Sequence, residues 1–250
     1  NGSLGLSPPM GTITMTDGAD NDGVAVIANG SGNILLDANG SGKDIVVSTN
    51  ADVVSSTGHI TLTAADAISL GSGVDVQTGT GGTISLDAEG GALTMDGTAN
   101  VTATGSSARL NAAGDLTVGN VTATDVSLVS DSGAIINAAN STKNVTATNL
   151  RLAADDAIGT SSRHLTTNVS NVSASSTGTT SAGIYITEDN DVTVRDVAVT
   201  VTQFNGNATT TDVTDSSQAD LVSGNNGNIV LSTTSGTITL TDGSDADGIA

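Results

Sequence analysis

The 250-residue chain has no cysteine and no tryptophan, one tyrosine (Tyr185), one phenylalanine (Phe204) and two prolines. A cysteine-free chain has no disulfide to staple a small fold, and the lack assigns no compartment, since extracellular bacterial proteins and cytosolic domains alike do without it. A chain with two aromatic residues cannot rest on the large buried rings that fill most compact globules. Its interior must come from Val, Ile, Leu and Ala, which suit a narrow space between short strands. Positive charge is also scarce, with Lys+Arg 6 against Asp+Glu 26 and a net charge of −20. That balance excludes nucleic acid, which needs clustered cations for its phosphates, and disfavours anionic lipid surfaces. It favours solubility and the binding of cations. No apolar run approaches the roughly 20 residues that span a bilayer, so no membrane insertion is expected.

What is abundant is glycine, 31 residues, together with Ser, Thr and Asn. Such composition borders on disorder, but the mean hydropathy is +0.08 and the apolar residues alternate rather than scatter. The segments GTITM (11–15), GNILL (32–36), GHITL (58–62), GTISL (82–86), SSARL (106–110), TDVSL (124–128), TNLRL (148–152), AGIYI (182–186) and GNIVL (227–231) align beneath one another. Their third positions are Ile13, Ile34, Ile60, Ile84, Ala108, Val126, Leu150, Ile184 and Ile229, mostly 18–26 residues apart. The gap of 34 before Ile184 reads as one rung with an insertion, and the gap of 45 before Ile229 as two rungs. Within a rung the alternation recurs, as in Ile60/Leu62, Ile68/Leu70 and Val74/Val76. Period-two alternation between Gly, Asn, Asp and Ser turns reads as short strands with every second side chain inside. The fold expected is all-β: a parallel β-helix with about three short strands per coil of 20–26 residues. Tight hairpin signals and an aromatic core, which an antiparallel sandwich needs, are missing. Thr61, Ser69, Ser85 and Thr94 are expected to face solvent.

A longer repeat overlies the short one. Residues 226–250 repeat residues 1–25 at an offset of 225, with 15 of 25 positions identical. Residues 1–225 are therefore expected to be one large solenoid unit of about ten coils, and 226–250 the start of its next copy, with no separate globular domain. The expected partners are further copies end to end, with lateral association of rods as a second contact.

The segment ADDAIGTSSRHLTTNVSNVSASSTGTTSAGIYITEDNDVTV (154–194) resembles the stalk repeats of filamentous-haemagglutinin-like large adhesins. The shared phrase is carried by residues 157–160, Leu165, Val169, Val172, 183–186 and 188–194. GTISLDA (82–88) and HITLTAADAISL (59–70) have the same character. The resemblance implies a right-handed β-helix and secretion through an outer-membrane partner. It also implies a place at the bacterial cell surface, touching a host or neighbouring-cell surface or polysaccharide. The expected role is a structural shaft segment and not an enzyme. A sheath-forming filament and a polysaccharide-acting β-helix enzyme are the alternatives.

Candidate sites are few. Asp17, Asp20 and Asp22 with Gly23, and their counterparts Asp242, Asp245 and Asp247 with Gly248, put closely spaced carboxylates in a turn that suits calcium. The same residues are also preferred at any solenoid corner. No other cofactor is expected. Glu188, Asp189 and Asp191 read as a solvated acidic corner. Asp155 and Asp156, as neighbours in a strand, point to opposite faces and do not converge as catalytic carboxylates. His59 and His164 are expected to lie about four coils apart as exposed side chains, and Arg109 and Arg151 as surface charges. Ten N-x-Ser/Thr sequons, Asn100, Asn120, Asn144, Asn168, Asn171 and Asn207 among them, follow from the composition. Residues 187–226 break the rhythm and read as an irregular coil or a protruding loop, and this region and the 159–181 connection are the expected places for partner recognition.

Overall fold

The computed structural model describes residues 2–7, 11–20, 22–178, 182–244 and 247. Every regular element among them is a strand, and all pair in parallel except one hairpin. The chain is a parallel β-helix, as the periodicity requires. Three ladders run along it. The first passes through Leu4, Ile34, Ile60, Ile84, Ala108, Val126, Leu150, Val172, Val194 and Leu240. The second links Ile13, Ile45, Ile68, Leu93, Leu116, Ile135, Ile158, Ile184 and Ile229. The third stacks Val26, Val53, Val76, Val101, Val121, Val145, Thr167, Glu188 and Thr233.

These columns are the core. Ile34, Leu36, Ile60, Leu62, Ile84, Leu86, Leu110 and Leu128 are fully buried in consecutive coils. The leucines lie on leucines in the coils before and after, and Ile60 lies between Ile34 and Ile84, about 4.8 Å apart. The aliphatic sameness of the sequence is thus a packing requirement: identical neighbours fill an interior of constant cross-section without gaps. Glycine opens several first-ladder segments because the corners stack as closely as the strands do. A Cβ on Gly58 would strike the carbonyl of Gly32, and one on Gly82 that of Gly58. The same carbonyls accept hydroxyl bonds, Ser55 Oγ to Gly32 at 2.8 Å and Thr78 Oγ1 to Gly58 at 2.6 Å.

Three of the aligned triplets sit elsewhere than the alignment placed them. Ile13, Ile184 and Ile229 belong to the second ladder, and the true first-ladder counterpart of Ile34 is Leu4. The gap of 45 is a single step, since Ile229 pairs directly with Ile184. The missing residues form the antiparallel hairpin of Val197–Phe204 and Thr210–Gln218. It leaves the first ladder after Val194 and rejoins it at Leu221, which pairs with Ala174 beside the Val172–Val194 pair.

Candidate functional site

The hairpin overturns the expectation of a protruding loop. It lies flat along the outside of the first ladder, running back toward the N-terminus. Phe204 N donates to Thr61 Oγ1 at 2.9 Å, Thr202 N to Thr83 Oγ1 at 3.0 Å, and Thr83 Oγ1 to Thr202 O at 2.7 Å. Gln203 Nε2 donates to Ser85 Oγ at 2.9 Å and Gln218 Nε2 to Leu152 O at 2.8 Å. Val197, Val199, Val201 and Phe204 are buried beneath this strap, their alternation being that of any half-buried strand. Thr61 and Ser85, expected to face solvent, are at most 3% exposed because the strap covers them.

Arg109 and Arg151 are corrected in the same way. Both stand at outward positions of the first ladder, and both hold the strap. Arg109 Nε meets Asp215 Oδ2 at 3.0 Å while its Nη1 reaches Asp87 at 3.5 Å, and its side chain is only 11% exposed. Arg151 Nε donates to Ser216 O at 3.0 Å. Burial lowers the pKa of the Arg151 guanidinium, Asp215 opposing and Arg109 reinforcing the shift. The fit is incomplete in the middle. The Ser127 and Ser173 hydroxyls are buried without a hydrogen-bond partner. Two strand residues advance about 6.7 Å but coils are about 4.8 Å apart, so strap and coils fall into register at some rungs and miss at others.

The acidic corner at 188–191 is also different from its expectation. Asp189 and Asp191 stay toward the surface, but Glu188 is fully buried. Its carboxylate accepts from Thr167 Oγ1 at 2.6 Å, Val169 N at 3.1 Å, Asp189 N at 2.9 Å and Asn190 N at 3.2 Å. Six valines stack in the third ladder before Thr167 and Glu188, and the chain then turns off to the first ladder at Val192–Val194. The carboxylate caps backbone N–H groups at the turn that leads from this ladder to the first, which is how a buried carboxyl group is satisfied. Lys143 Nζ pairs with Asp189 at 2.7 Å.

Asp17, Asp20 and Asp22 do converge: one carboxylate oxygen from each lies within 4.8 Å of the others, Asp17 half-buried and the other two exposed. Gly23 N donates to Asp17 Oδ1 at 3.2 Å and Val24 N to Asp22 Oδ1 at 2.9 Å, which shapes the loop. Burial raises the pKa of nearby Asp52, with the Asp75 N–H lowering it and the charges of Asp75 and Asp17 adding to the rise. Three carboxylates supply part of the six to eight oxygens calcium takes. In the second copy, Asp242 and Asp247 are described but Asp245 lies outside the described residues.

Comparison with protein-family models, curated proteins and solved structures gives no match. The geometry therefore carries the functional reading alone.

Asp155 and Asp156 lie in the bend after Val145–Ala154 and not in a strand as expected, Asp155 exposed and Asp156 half-buried, with their backbone N–H groups bonded to Ser130 O and Gly133 O. His59 and His164 lie on coils four steps apart and are half-buried rather than exposed. His59 Nδ1 accepts from Thr83 N at 3.2 Å, and burial lowers its pKa with Asp212 opposing. His164 Nδ1 is 2.8 Å from Thr187 Oγ1, with its ring 5.8 Å from that of Tyr185. Several sequon asparagines are committed to the ladder, such as Asn144 Nδ2 to Val118 O at 2.7 Å and Asn100 Nδ2 to Asp75 Oδ1 at 2.6 Å. The strap was missed in the sequence because its strands look like further coil. The pairing of a valine run, VAVTV (197–201), with an alternation of the opposite polarity, TDVTD (211–215), was the signal available.

Proposed function

We propose that the chain is a segment of the shaft of a giant secreted bacterial surface fibre, an adhesin whose rod holds a distal contact away from the cell. The observation that carries this reading is the unbroken first ladder of nine steps between Leu4 and Leu240. Continuous strand pairing along the axis gives a stiff, narrow body whose length grows by about 4.8 Å per coil. An acidic surface keeps such rods apart in solution. Function in this class resides in reach and surface chemistry, in attachment or cell–cell contact. The sheath variant differs only in that rods associate laterally.

Immunogold labelling of the producing cells with antibody against the 250-residue chain tests the reading. Gold spaced along filaments projecting from the surface is the expected result. A continuous layer would favour the sheath, and label confined to the cytoplasm would overturn both.

The convergence of Asp17, Asp20 and Asp22 favours one elaboration, a shaft whose corner takes calcium. Millimolar calcium then raises the melting temperature of the chain, and the triple Asp→Asn variant loses the rise; an unchanged melting curve would sink this elaboration alone.

A further inference from the structure

We infer that the C-terminal end of the unit docks the first coil of another copy in a rotated register, the second ladder of one copy continuing as the first ladder of the next. Straps of successive copies then leave the rod on different sides. The inference rests on the shaft reading, which supplies the next copy.

The registers carry it. Residues 226–240 are the counterparts of 1–15 at the offset of 225. Leu4 begins the first ladder, but its counterpart Ile229 sits on Ile184, on the second. Ile13 begins the second ladder, but its counterpart Ile238 sits on Val192, in the strand that continues the first. Followed from Ile13, the second ladder arrives at Ile229, the counterpart of Leu4. Followed from Leu4, the first arrives at Leu240, the counterpart of Met15. A unit with a whole number of coils would bring each residue back to its own column, and this one does not.

The cause is local. The second and third ladders, on separate strands in earlier coils, run through one strand at Ile184–Glu188, where Ile184 meets Ile158, Glu188 meets Thr167, and Ile229–Thr233 pairs along the whole length. The chain then crosses to the first ladder at Val192–Val194, so the final coils cover the second and third sides with a single strand. The strap adds nothing to the phase, because it departs from and returns to the same ladder. The occupant of this end is thus already on view: residues 229–240 are a first coil, seated on 184–194. A fibre of such units presents its straps around the axis instead of along one side, so its lateral contacts are not confined to one face.

The test uses the chain's freedom from cysteine. In the 250-residue protein, Thr193→Cys with Thr239→Cys, and separately Tyr185→Cys with Val230→Cys, place neighbouring ladder positions within the roughly 4.4–6.8 Å that a disulfide bridges. Both pairs are expected to oxidise almost completely without change in the β-sheet circular dichroism. A folded protein in which neither pair closes would overturn the register. The same chain extended by the rest of a second copy, with both strap tips labelled at Ala208→Cys, is then imaged by electron microscopy. Labels on different sides of one continuous rod are expected. Labels on the same side of a continuous rod would overturn the rotation and leave the shaft reading standing. Two separate lobes would overturn both.

Discussion

Two sides of this rod carry the same sequence pattern and meet opposite fates. On the first ladder, the outward positions Thr61, Ser85, Ser127 and Ser173 are buried. On the second, Thr94 in the same position of its triplet is exposed, and Ser69 and Thr117 are half-exposed. Nothing within either triplet decides this. The strap does, and its residues lie more than a hundred positions away from Thr61 and Ser85 in the chain. A polar residue that alternates outward is therefore committed to leave the core but not to reach water.

The comparison can be broken most forcefully from inside. Leu86 stacks between Leu62 and Leu110 with no exposure. Leu86→Ala is expected to cost about 2–5 kcal/mol, seen as a lowered denaturant midpoint, and Leu86→Asp to prevent folding altogether. Thr94→Asp, outward on the uncovered side, should leave the midpoint nearly unchanged.

Glu188→Ala comes next. It strands the Thr167 hydroxyl and the Val169, Asp189 and Asn190 N–H groups in a buried site, for a loss of about 3 kcal/mol or more. Hydrogen exchange should localise the damage to residues 165–194. A midpoint equal to the parent would show that water replaces the carboxylate and that the cap is dispensable.

Arg109→Ala separates strap from rod. Losing the contacts to Asp215 and Asp87 is expected to cost about 2–3 kcal/mol, since it leaves the mostly buried Asp215 carboxylate without its partner. Proteolysis within 197–218 should accelerate several-fold while the coils stay resistant. Equal acceleration throughout would mean that strap and coils unfold as one.

Ser127→Ala and Ser173→Ala reverse the sign. Each removes a buried hydroxyl that has no partner, and each should stabilise by about 1 kcal/mol. Their coils are two steps apart, so the double variant should give nearly the sum. Ser69→Ala, on the open side, serves as the control with no gain.

The smallest effect is a pH dependence. Burial holds His59 below the ordinary imidazole range, so protonation favours the unfolded chain. Stability contributed by neutral His59 is present above about pH 6.5 and is lost as pH falls through that value toward the lowered folded pKa. His59→Gln should flatten the melting temperature between pH 7 and pH 5; an unaltered slope would assign the dependence to other groups.

Much of the fold was legible because a coil of constant cross-section repeats one local rule. Ile60/Leu62, Ile68/Leu70 and Val74/Val76 fall on three sides as their spacing implies, and the Asp17–Asp20–Asp22 turn closes as its residue types suggest. Ile13, Ile184 and Ile229 were placed on the wrong ladder because all ladders use the same apolar–any–apolar triplet. A triplet names its inward positions but not its side. Arg109, Arg151 and Glu188 were misjudged because a charged residue looks solvated until something distant covers it. The strap supplies that cover for the two arginines, and the turn at 189–190 supplies it for Glu188.

By itself, the sequence determined the alternation, the aliphatic columns and the parallel coil, since each follows from contacts between near-identical segments one turn apart. Only the tertiary structure decided which side each segment occupies, which hydroxyls lose water, and how the unit's end meets its beginning. Those outcomes depend on the accumulated phase of many coils and on a hairpin folded back over them. Neither quantity exists in any window of twenty residues.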